Sequence, residues 1–123
     1  MSLDAMEPTG EWDGSEDVLA TLGNEELEYL VWGADWCGDC RERLPPFAAA
    51  LDAAGVPADR IHRFPVDEDK RGRGVDEYGI EYIPTVVVER GGEEVARFVE
   101  SADEPIAAFL AARLAGREDR AEP

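Results

Sequence analysis

The sequence predicts a single α/β domain built on one mixed β-sheet with helices on both faces. Hydrophobic periodicity reads in order as helix, strand, helix, strand, helix, strand, strand, helix. The early strand–helix–strand half implies parallel pairing, and the late pair of strands joined at Gly91-Gly92 implies an antiparallel hairpin. The length of 123 residues, with 44% hydrophobic, suffices for one core and is too short for two ordinary domains.

Each element has its own signal. Residues 1–14 place Pro8, Gly10 and Gly14 among acids and read as a flexible acidic arm. Ser15 is a candidate cap for a short helix with Val18, Leu19 and Leu22 on one face, ended by Gly23. Leu27 to Gly33 reads as a buried strand. Arg41 to Ala54 reads as a helix with Leu44, Phe47, Ala48 and Leu51 inward, bent or restarted by Pro45-Pro46 and stopped by Gly55. Ile61 to Val66 is a second strand, Asp67 to Gly74 a charged loop, and Val75 to Gly79 one or two helical turns. Pro84 to Glu89 and Glu94 to Val99 form the hairpin. Ser101 or Asp103 caps a last helix running to about Leu114. The expected domain spans 15–116, followed by a disordered tail, 117–123.

Charge narrows the function classes. Acidic residues number 29 against 12 basic ones, a net charge of −17, which disfavours phosphate backbones and anionic membranes as partners. No apolar run approaches the roughly 20 residues of a membrane span, and the polar start does not read as a secretory signal, so a cytoplasmic location is expected. Lys70 is the only lysine among those basic residues. Acid-rich, lysine-poor surfaces stay soluble where salt screens charge, so a halophilic origin is the working expectation.

Cys37 and Cys40 are the only cysteines, three positions apart. A bridge that short barely restrains an unfolded chain, so the pair is chemical rather than a staple. Cys37 stands where a strand ends and a helix begins, and the free amides and dipole there stabilise a thiolate, the nucleophile of disulfide exchange. Cys40, one turn on, can attack the mixed disulfide. Gly38 permits a tight helix start, and Asp39 places a negative charge beside both sulfurs, so both residues tune the pair. Metal ligation is the competing reading, but two cysteines do not complete a four-ligand site and His62 is a lone histidine. Asp67-Glu68-Asp69 reads as solvated charge.

Asp35-Trp36-Cys37-Gly38-Asp39-Cys40, Pro45 eight residues after the first cysteine, and Ile83-Pro84-Thr85 before a strand together resemble the thioredoxin family over roughly residues 16–115. The resemblance implies a thioredoxin-like fold and a protein-disulfide reductase without a bound cofactor or metal. It implies that Cys37 attacks, the buried Cys40 resolves, and Trp36 shields the site. It implies a cis Ile83–Pro84 bond facing the sulfurs, with the Ile83 backbone binding substrate. Protein disulfides are the implied substrates, a reductase the electron donor, and a monomer the expected state. Four positions depart from the family pattern. Asp39 replaces proline, Val31 replaces a buried aspartate, Tyr82 replaces a small residue, and Val99-Glu100-Ser101 lacks a glycine. The alternatives are a partner-specific redox module and a non-catalytic binding module with the same fold.

Overall fold

A computed structural model of the chain describes residues 16–69, 71–72, 74–99 and 106–120, with side chains to 114. Its elements are α1 (Glu16–Leu22), β1 (Leu27–Gly33), α2 (Gly38–Ala53), β2 (Ile61–Pro65) after a 3₁₀ turn at Ala58–Arg60, α3 (Val75–Tyr78), β3 (Thr85–Arg90), β4 (Glu93–Val99) and α4 (Ile106–Arg120). The strands form one sheet in the order β2-β1-β3-β4. β1 pairs parallel with β2 and antiparallel with β3, and β3 pairs antiparallel with β4. This is the expected mixed sheet.

Strand register sorts the layers, because side chains alternate between faces. Val31, Val86 and Phe98 align across three strands. Phe98 packs edge-on against Phe109 of α4, and Tyr29, on the same face, packs against Phe47 of α2. The Tyr29 hydroxyl donates to the Leu22 carbonyl at the end of α1. Three helices therefore share one face. The other face carries Leu30 and Trp32 and is covered by the single turn of α3 with the loop before it. There Trp32 is fully buried, stacked on Phe64 with centroids 4.7 Å apart and tilted against Tyr78 at 5.0 Å. Gly74 closes this lid. Its φ of +81° belongs to the left-handed region, and a Cβ there would meet Trp32 Cζ2 at 3.0 Å. Trp32→Ala is expected to lower the unfolding free energy by about 3–5 kcal/mol. Denaturant titration checks it, and a loss below about 1 kcal/mol would show that the lid collapses onto the gap.

The structure departs from expectation at three places. α2 begins at Gly38, not Arg41, because Cys37 itself caps it. Of the bend or restart expected at Pro45-Pro46, the restart does not occur, and α2 runs on to Ala53, after which Gly55 (φ +79°) turns the chain away. α4 passes through Gly116 to Arg120, so the boundary expected at 116 falls inside a helix and residues 117–120 are helical rather than tail. A single glycine weakens a helix interior by only about 1 kcal/mol. The arm 1–14 and the cap candidates Ser15, Ser101 and Asp103 lie outside the described residues.

Candidate functional site

The C-terminal end of β1 gathers the site. β1 ends opposite Pro65 of β2, Trp32 pairs with Thr85 at the start of β3, and Thr85 pairs with Val99 at the end of β4. The segments leaving these four strand ends meet at one end of the sheet. They carry Trp36 and the cysteines, Val66, the Tyr82-Ile83-Pro84 turn, and Val99.

Cys37 is the N-cap of α2, with extended backbone at φ −88° and ψ 122°. Its Sγ accepts a hydrogen bond from the Cys40 backbone amide at 3.4 Å, satisfying one of the helix's free donors. Its own amide donates to the Ala34 carbonyl at 3.2 Å, and its carbonyl accepts from the Arg41 amide at 3.1 Å. Cys37 is half-buried and Cys40 fully buried, and both are free thiols. Burial pushes the Cys40 thiol up to about 12. Its hydrogen bond with Cys37 and the negative charges of Cys37 and Asp39 push the same way, and a backbone hydrogen bond from Ala34 opposes them. The pair is thus asymmetric, with one sulfur at the surface and one protonated thiol beneath it.

Gly38 and Asp39 are both exposed at the first turn of α2. Trp36 is 44% exposed, and its indole Nε1 donates to the Val66 carbonyl at 3.1 Å. The Ile83–Pro84 bond is cis, as expected, and both residues are buried. Thr85 is buried too, and its hydroxyl donates to the Tyr82 carbonyl at 2.6 Å. Val31 is fully buried in the same apolar cluster as Cys40, and it stands where the family pattern expects a carboxylate.

Sequence reasoning gave Val66 and Thr85 no role. Val66 acts through its carbonyl, which leaves no mark in a sequence. Thr85 stood inside the motif, and its position one residue after the proline was the available signal. A clamp was missed as well. Arg97 of β4 donates to the Tyr78 carbonyl at 2.9 Å and pairs with Glu94, while the Tyr78 hydroxyl donates to Glu89 at 2.9 Å. The hairpin thereby holds the turn of α3 that leads into Tyr82 and Pro84.

Other candidates stand apart from the cysteines. His62 pairs in register with Leu30, and its Nε2 lies 3.2 Å from Glu28 Oε1. Asp67 Oδ1 accepts from the amides of Asp69 and Arg71 at 3.0 and 2.9 Å, the local closure of a loop. Among the described residues no three His, Cys, Asp or Glu side chains gather to hold a metal ion. Among the same residues no helix is long and apolar enough to cross a membrane.

A family profile, Thioredoxin, matches residues 17–112. Thioredoxin H2-2 of rice (Oryza sativa subsp. japonica) is 34% identical over 95 residues, covering 77% of this chain and 67% of the relative. The thioredoxin of Chlamydia trachomatis is 31% identical over 85 residues, covering 69% and 79%. In structure, a mutant thioredoxin from Halobacterium salinarum NRC-1 superposes with a TM-score of 0.50 at 20% identity, covering 89% of this chain and 93% of that one, a likeness of fold. A cysteine pair at a strand-to-helix junction, on this fold and within this match, is the equipment of disulfide exchange, and the chain belongs to the thioredoxin family of thiol–disulfide oxidoreductases.

Proposed function

We propose that this chain reduces protein disulfides with Cys37 as nucleophile and Cys40 as resolving thiol. The Cys37 thiolate attacks a substrate disulfide, forms a mixed disulfide and expels one substrate thiolate. The Cys40 thiolate then attacks the Cys37 sulfur, forming the Cys37–Cys40 disulfide and expelling the second. The substrate gains two electrons and two protons, and a separate reductase restores the pair. The observation that carries this reading is the half-buried Cys37 sulfur at the N-cap of α2, one turn from a buried thiol. Trp36, Ile83 and Pro84 form the substrate side, and Gly38 and Asp39 set the balance between dithiol and disulfide. The working unit is a monomer in a reducing cytoplasm, which suits a chain whose only two cysteines are the redox pair. In this reading the domain begins at about 15, and its C-terminal boundary moves from 116 to the end of α4 at Arg120.

Insulin reduction tests the reading. Wild type with a dithiol reductant is expected to precipitate the insulin B chain faster than the reductant alone. No acceleration, at low or molar salt, would leave a binding module with a redox-like fold. A partner-specific module is the second reading, favoured by Tyr82 and Val31.

The charge of −17 supports a salt-rich cytoplasm as the setting. Molar sodium chloride is expected to raise the melting temperature by at least about 5 °C over low salt, a stabilisation of about 1 kcal/mol. Equal melting in both would remove the salt adaptation and leave the redox reading intact.

A further inference from the structure

The large apolar side chains that stand exposed among the described residues are Trp36, Tyr82 and Val99. Singly, such residues need no explanation. Here all three lie at the end of the sheet that carries the cysteines, and two are aromatic. Trp36 is held through its indole on the Val66 carbonyl, and the backbone that carries Tyr82 is held by the Thr85 hydroxyl on the Tyr82 carbonyl. A fixed aromatic surface binds without losing much side-chain freedom.

The chemistry around these rings selects among partners. Exposed Asp39 follows Cys37 closely, and exposed Glu81 immediately precedes Tyr82. Arg41 and Arg43 follow Cys40 and Arg63 and Arg71 flank Val66, but Asp35, Asp39, Glu42, Asp67, Glu68 and Asp69 outnumber them along the same stretches, within a chain of net charge −17. An acidic substrate segment meets repulsion here. An apolar one strips water from Asp39 and Glu81 and gives them no partner. A guanidinium satisfies both demands, since it stacks on an aromatic face and donates to a carboxylate, and it is more weakly hydrated than an ammonium.

We propose that Tyr82, with Glu81 next to it in the chain and Asp39 at the same end of the sheet, selects oxidised protein segments that carry an arginine next to the disulfide. The inference rests on the disulfide-exchange reading of Cys37 and names the substrate class for that site. It assigns a specificity role to a position where the family pattern has a small residue.

The test uses three oxidised peptides that share one disulfide and differ at one flanking position, arginine, lysine or leucine. Their kcat/KM values are measured at the lowest salt that keeps the protein folded. Wild type is expected to prefer arginine over leucine by about tenfold and over lysine by about threefold, with the difference carried by KM and shrinking in molar salt. Tyr82→Leu is expected to erase the arginine-over-lysine preference, and Tyr82→Phe, which keeps the ring, to retain it. Equal values for arginine and leucine peptides in wild type, or an arginine-over-lysine preference that survives Tyr82→Leu, would overturn the proposal. Wild-type turnover of the small uncharged hydroxyethyl disulfide reports on the redox reading separately. If that turnover is present while the peptides are not discriminated, only the selectivity is wrong, and if it is absent, the redox reading fails with it.

Discussion

Replacing Cys37 by serine is expected to drop disulfide reduction to the background set by free dithiol, a loss of at least about a thousandfold. A serine hydroxyl is not ionised at neutral pH and does not displace a thiolate from sulfur. The change is small in volume, and Cys37 is half-buried rather than a core residue, so the fold should survive and circular dichroism serves as the control. Cys40→Ser should behave differently. Attack still occurs, but nothing resolves the product, so a covalent enzyme–substrate disulfide accumulates. Mass spectrometry under non-reducing conditions detects it. The assignment of roles requires this asymmetry. Trapping by Cys37→Ser instead of Cys40→Ser would reverse the two residues, and activity surviving Cys37→Ser would end the mechanism.

The resolving step is expected to accelerate with pH. Burial holds the Cys40 thiol up, to about 12 in the reduced pair. Only the thiolate attacks, and below its pKa the thiolate fraction rises about tenfold per pH unit. In the mixed disulfide the hydrogen bond and charge from Cys37 are gone, which lowers the value, but burial and Asp39 remain. Release of substrate should therefore speed up by about a hundredfold from pH 6 to pH 8. Asp39→Asn removes a charge that disfavours the Cys40 thiolate, so the curve should move to lower pH and release at pH 7 should quicken. Val31 offers no carboxylate inside the core to take the proton, so the slope should be uninterrupted. Stopped-flow release from a preformed mixed disulfide between pH 6 and 9 reads all of this. A rate flat with pH would show that proton loss from Cys40 is not limiting.

The strands and the helix starts were legible for physical reasons. β1 is apolar apart from Glu28 near its start, and the Thr85-Val86-Val87-Val88 run is β-branched, so both announce burial before any partner is known. The turn at Gly91-Gly92 and the adjacency of Cys37 to a strand end are local, and local features survive in sequence. The apolar spacing of α2 shows only from Arg41, one turn inside the helix, while its true start at Gly38 is marked by the position of Cys37, a thiol cap that is not among the usual capping side chains. The length of α4 was misjudged because its apolar spacing ends at Leu114, and the helix runs on through the polar stretch to Arg120.

By itself the sequence determined the redox pair, the sheet and its mixed pairing, and the acidic character of the surface, because each rests on composition or on contacts between near neighbours in the chain. The tertiary structure alone decided the rest. It buried Cys40 under Cys37 and so separated two chemically identical thiols. It brought the Val66 carbonyl to the Trp36 indole across 30 positions, and Thr85 into register with both Trp32 and Val99. It put three helices on one face of the sheet and left the other to a single turn packed on Trp32. Burial, backbone carbonyls and register are properties of where chain segments meet, and no residue carries them until the sheet has formed.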